Sequence, residues 1–111
     1  IQMNKSHKLE VFRKKLNRSN LIGGWIQLSD PNIARIVSQS KNLDWLCLDM
    51  EHGLINLTLL PNILNAVEHS NKIIFARISI TDIADIPKIL DLGIDGIIIA
   101  NIKNEEDILK I

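Results

Sequence analysis

Short apolar runs of strand length alternate four times along the chain with longer segments whose apolar residues recur at helical spacing. No other feature narrows the fold as much, because strands separated by helices run parallel and cannot be joined by a tight turn. The runs are Leu21 to Leu28, Asp44 to Met50, Lys72 to Ile78 and Gly96 to Ala100. In the second, Trp45, Leu46, Cys47 and Leu48 leave no polar face, as expected of a parallel strand covered on both sides. The fourth is marked by three consecutive β-branched residues, Ile97, Ile98 and Ile99.

The intervening segments carry helix signals. Asp30 can cap a helix with Pro31 at its first position, ahead of Ile33, Ile36 and Val37 on one face. A second helix, from about Thr58 to Glu68, places Leu60, Ile63, Leu64 and Val67 at three- and four-residue spacing, with Pro61 tolerated in its first turn. A third is predicted from about Asp82 to Leu92, closed by Gly93 as a left-handed cap. Asn104 caps a last helix that opens on Glu105 and Glu106. Before the first strand, Leu9, Phe12 and Leu16 among Lys8, Arg13, Lys14 and Lys15 predict an amphipathic helix capping the sheet edge. Glu10 and the short apolar face argue against a transit peptide or a membrane-surface helix. The fold class is α/β with four β/α units. Two architectures fit it, an open doubly wound sheet or part of an eight-unit closed barrel, and both place active groups at the C-terminal ends of the strands.

A length of 111 residues supplies one domain. With 13 Lys and Arg against 13 Asp and Glu, and no dominant basic tract, there is no electrostatic reason to expect a nucleic acid or an anionic membrane as partner. Cys47 is the single cysteine, so an internal disulfide is impossible, and its place in an apolar run reads as a small buried hydrophobe in a reducing compartment. No stretch approaches the roughly 20 apolar residues that span a bilayer, and the charged N-terminal segment lacks a signal-peptide core, so the expected location is cytoplasmic. Ile1 and Gln2 ahead of Met3 read as a cloning remnant or as the start of an excised piece.

The segment Asp49-Met50-Glu51-His52-Gly53 at the end of the second run holds the most chemistry. Asp49 and Glu51 point to one side of an extended chain and His52 falls in the turn, so carboxylate and imidazole meet at the mouth of the sheet. That combination suits proton transfer, since a carboxylate on one ring nitrogen fixes the tautomer and raises the basicity of the other. A surface turn with a solvated histidine is the alternative. Arg77 ends an apolar strand, where an unpaired guanidinium is costly. A substrate carboxylate or phosphate would satisfy it, as would an internal bridge to Asp49 or Glu51. Asp91, near a helix C-terminus, is unfavourable toward the helix dipole and needs some other partner. Gly23-Gly24 lacks phosphate-loop spacing, and Trp25 and Trp45 read first as packing residues. Cys47 has no histidine beside it in sequence to activate it, His7 and His69 lie on mostly polar helical segments, and no zinc spacing is present.

Taken together and in order, Gly24-Trp25, Asp44-Trp45-Leu46, Asp49-Met50-Glu51-His52-Gly53, Ala76-Arg77-Ile78 and Leu90-Asp91-Leu92-Gly93 followed by Gly96-Ile97-Ile98-Ile99 resemble the HpcH/HpaI aldolase family. These are class II pyruvate aldolases, 2-dehydro-3-deoxyglucarate aldolase among them. The resemblance runs from about His7 to Ile111 and implies a (β/α)8 TIM barrel, of which the chain would be the N-terminal half. Residues 1–20 would form a capping helix and 21–111 the four β/α units. It implies a homo-oligomeric lyase that cleaves 4-hydroxy-2-oxo acids to pyruvate and an aldehyde with a divalent metal (Mg2+, Mn2+ or Co2+). By resemblance His52 is the general base, and Asp91 is its paired carboxylate from the same or a neighbouring subunit. Asp49 orients water on the metal, Arg77 binds the pyruvate carbonyl and Trp25 lines the substrate pocket. The family's metal-binding Glu and Asp come from the fifth and sixth strands, so no metal ligand is assigned here, and a shortened chain is expected to be inactive alone. Ala100-Asn101-Ile102 departs from the proline and apolar residue usual after the fourth strand. A non-catalytic half-barrel acting by self-association, and an enzyme of citrate lyase or malyl-CoA lyase type, are the competing expectations.

Overall fold

The computed structural model describes residues 3–111, so the expectation attached to Ile1 and Gln2 lies outside the described residues. Helix α1 (Lys5–Leu16) precedes four strand–helix units: β1 (Gly23–Ile26), α2 (Pro31–Ser38), β2 (Trp45–Asp49), α3 (Leu60–Val67), β3 (Ile73–Ser79), α4 (Ile86–Asp91), β4 (Gly96–Ala100) and α5 (Glu105–Lys110). The strands form one parallel sheet in the order β1-β2-β3-β4.

The expected caps are present. The Asp30 side chain accepts from the Asn32 amide, Asn104 accepts from the Asp107 amide, and Gly93 adopts a φ of 111° after α4. The largest boundary difference lies in the third helix. The helix expected from Asp82 is a 3-10 segment, Ile80–Asp85, and the α-helix begins only at Ile86. Pro87 explains the shift, because proline lacks an amide hydrogen and fits a helix only in its first turn.

Sequential order and one-sided helix packing argue against the doubly wound alternative. A doubly wound sheet reverses its strand order at a switch point and carries helices on both faces, whereas here all crossover helices pack on one face. Ile26, Leu46, Leu48, Ile74, Ala76 and Ile78 from the strands meet Ala34, Leu60, Ile63, Val67 and Ile89 from the helices in a single buried cluster. Each large side chain so buried contributes on the order of 2 kcal/mol relative to its exposed state.

The other face of the sheet carries the aromatic residues. Phe12 meets Phe75, Phe75 meets Trp45, and Trp45 meets Trp25, each edge to face with centroids 6.2, 5.5 and 6.5 Å apart. These are all the aromatic residues of the chain, two Trp and two Phe. Through Phe12, α1 joins this face, and it is fixed by ions at the N-terminal ends of β3 and β4. Lys8 Nζ lies 2.8 Å from the buried Asp95 carboxylate, which also accepts from the Ile74 amide, and Lys5 Nζ donates to the Ile94 carbonyl. The helix thus caps the sheet at its N-terminal end, opposite the strand ends where the polar residues gather.

Glycine is required where the rings cross β1, since a Cβ at Gly23 would overlap the Trp45 indole. Gly23→Ala is expected to cost about 1–3 kcal/mol by overpacking, seen as a lower urea midpoint with an unchanged slope.

Candidate functional site

Strand register brings the candidate residues together. Asp49 pairs in register with Arg77, so both side chains project from the aromatic face at the C-terminal ends of adjacent strands. Asp49 is fully buried. Its Oδ1 accepts from the Glu51 and His52 backbone amides at 3.0 and 2.9 Å and from Arg77 Nε at 3.2 Å. Its Oδ2 accepts from Trp25 Nε1 at 3.1 Å, Gln27 Nε2 at 3.2 Å and Arg77 Nη2 at 2.6 Å. Burial alone would push the Asp49 carboxyl up, but the Arg77 bonds, the His52 amide and the Trp25 and Gln27 donors outweigh it, and the group is held well below the usual carboxylate range.

The guanidinium is therefore gripped from one side. Two of its donors are used on Asp49, its side chain is 22% exposed, and it stacks 5.3 Å from the centroid of the Trp25 ring. Among the described residues Nη1 makes no hydrogen bond, which leaves its pair of donors over. Of the two accounts open for Arg77, the internal bridge to Asp49 is formed, and the geometry leaves donors over for an external anion as well. The Asp49 bond raises the Arg77 pKa further.

Asp49 also shapes the turn that follows it. By accepting two successive amides it ends β2, and the chain doubles back until the Leu54 amide reaches the Gln27 carbonyl at 2.7 Å. Gly53 permits the return, since a Cβ there would collide with the Asp49 carbonyl oxygen. The turn sets His52 at the surface, its side chain 68% exposed, with Nε2 2.8 Å from Oε1 of Glu51. Asp49 thus touches the histidine backbone and leaves the ring to Glu51. Asp91 is placed elsewhere. It ends α4, which leads into the start of β4, so it stands exposed at the opposite end of the sheet from His52. No hydrogen bond or ion pair joins the two among the described residues.

Two further contributors escaped the sequence reading. Gln27 holds Asp49 from β1, and only the polar residue two positions beyond Trp25 hinted at it. Asn101, at a φ of 66°, donates from Nδ2 to Glu51 Oε1 at 3.2 Å. Cys47 is buried beneath this layer. Burial first, and then the Asp49 charge, push its thiol up to about 12, so it stays protonated and is no nucleophile. Among the described residues no group of three or more His, Cys, Asp or Glu could hold a metal ion, and Asp49 has both oxygens committed to three donors each. The donor set present here does not make a metal site. No helix among the described residues is long and apolar enough to cross a membrane.

A four-stranded parallel sheet in sequential order, with helices on one face and an Asp–Arg pair at the strand ends of the other, defines an α/β protein. Solved structures specify it further. The chain is similar to the citrate synthase SbnG, with 29% identity and a TM-score of 0.72 over 85% of this chain and 38% of that one. It also aligns with an HpcH/HpaI aldolase/citrate lyase family protein from Burkholderia cenocepacia at 23% identity and a TM-score of 0.75, over 94% of this chain and 40% of that one. An HpcH/HpaI aldolase from Desulfitobacterium hafniense gives 20% and 0.67, over 93% and 38%. The resemblance to the HpcH/HpaI family drawn from the sequence is thus matched in three dimensions, and the chain spans about two fifths of the structures it matches. No family model and no curated protein matches it.

Because the Asp49 carboxyl is lowered on folding, its contribution to stability is complete above the unfolded value of about 4 and is lost as the pH falls from there toward the depressed folded value. Asp49→Asn is expected to cost about 3 kcal/mol at neutral pH, and urea titrations of the two proteins should converge as the pH is taken below about 4.

Proposed function

We propose that these four units are the N-terminal half of a (β/α)8 barrel whose chemistry is reversible carbon–carbon bond cleavage in 4-hydroxy-2-oxo acids, giving pyruvate and an aldehyde. The observation that carries the reading is the Arg77 guanidinium at the end of β3, clamped by Asp49 with Nη1 left over, together with the exposed His52 imidazole on the turn that Asp49 fixes. Cleavage places a negative charge on the oxygen of an enolate, and a fixed guanidinium stabilises that charge without reorganising when it appears. His52 would take the proton from the 4-hydroxyl as the bond between C3 and C4 breaks. The electron pair then passes into the pyruvate enolate, and a proton returned to C3 completes pyruvate. Trp25, stacked on Arg77, walls the pocket. Asp91 can reach His52 only across a contact between subunits, which the homo-oligomer implied by the resemblance would supply. The divalent cation of this reading calls for carboxylates beyond those described here, and no step above is routed through it.

The similarity to a citrate synthase favours a second reading, in which the same enolate chemistry runs toward bond formation. Incubating the intact protein with pyruvate and Mg2+ or Mn2+ in deuterated water should label the pyruvate methyl group, measured by mass spectrometry. Arg77→Ala should lower that rate at least 100-fold. A folded protein that labels acetyl-CoA and leaves pyruvate untouched would favour the citrate-type reading. Labelling of neither would overturn both and favour the non-catalytic, self-associating half-barrel.

A further inference from the structure

The Glu51 side chain is 7% exposed, while the imidazole it touches is 68% exposed. An anchor is buried and a base presented. Burying a carboxylate is costly unless its oxygens are satisfied, yet Oε2 of Glu51 is buried with no hydrogen-bond partner among the described residues. The cost is offset at Oε1, which receives His52 Nε2 at 2.8 Å and Asn101 Nδ2 at 3.2 Å, and by the positive charge of Arg77 nearby. Asn101 reaches Glu51 because its backbone is left-handed, at a φ of 66°, a conformation that asparagine tolerates better than most residues and proline cannot adopt. The strap runs from the end of β4 to the turn after β2, crossing over β3. The other carboxylates are not available within the chain, since Asp49 is saturated by its donors and Asp91 lies at the far end of the sheet.

We infer that Glu51 is the positioning residue for His52 and Asn101 the positioning residue for Glu51, so that Nε2 of His52 carries the proton and Nδ1 is the lone pair offered to the substrate hydroxyl. A contact between Nε2 and a carboxylate oxygen makes that nitrogen the donor and fixes the ring plane. The inference rests on the proposed lyase reading for its catalytic consequence, but the ring geometry stands apart from it.

The test uses the intact protein labelled with 15N-histidine, the His52 signals being assigned with His52→Gln. Long-range proton–nitrogen spectra are expected to show His52 protonated at Nε2, with lines that move in Glu51→Gln and in Asn101→Gly. For cleavage of a 4-hydroxy-2-oxo acid, Glu51→Gln should lower kcat about 10- to 100-fold and Asn101→Gly about 3- to 10-fold, with KM little changed. Adding Asn101→Gly to Glu51→Gln should change nothing more, and Glu51→Gln should have no effect in a His52→Gln background. A proton on Nδ1, lines indifferent to Glu51→Gln, or additive losses in either double variant would overturn the inference. Should the wild type lack lyase activity, the function reading fails by itself and the histidine spectra alone decide whether the pair is formed. Asn101→Gly keeps the left-handed backbone and removes only the amide, so it guards against a Glu51 variant that fails to fold.

Discussion

The Asp49–Arg77 pair is the interaction on which the rest of the site depends. A buried carboxylate is expensive in isolation, and this one is retained because six donors converge on it from β1, β3 and the turn after β2. Convergence has a geometric consequence. A single side chain ties the ends of three strands together, ends β2, and aims the guanidinium outward. Remove the carboxylate and each of these loses its reference, whereas loss of any one donor leaves the others in place.

Beneath that layer the aromatic chain provides stiffness. Trp25 belongs to both systems, donating to Asp49 through its indole nitrogen and meeting Trp45 through its ring. The polar layer and the apolar layer are therefore built on the same residue, and the helix at the opposite end of the sheet is coupled to them through Phe12 and Phe75. Rigid support of this kind is what a binding group needs if its donors are to be ready before a ligand arrives.

Much of this was legible in the residue order. Four apolar runs gave four strands, displaced by no more than a few residues at their ends, and Asp30, Gly93 and Asn104 mark helix ends as their side chains or lack of one dictate. Local chemistry is short range and can be read in place. The break at Pro87 was also local, but the helical spacing of the apolar residues around it masked the proline. The Asp49–Arg77 bond was visible only as one of several options, because residues 28 apart meet solely through strand register. Gln27 and Asn101 were harder still. Each acts through one side-chain amide on a carboxylate at or just beyond the end of β2, and for Asn101 the contact goes with a left-handed backbone. No periodicity signals such a turn.

The stacking of Arg77 on Trp25 carries one more consequence. The indole is 44% exposed, lies beneath a guanidinium and shares a hydrogen bond with the same carboxylate, while the only other indole, Trp45, sits deeper in the aromatic row. An anion drawn to the outer face of Arg77 would alter the field across that ring, so the emission of Trp25 becomes an intrinsic optical gauge of whether the strand mouth is filled, requiring no added dye.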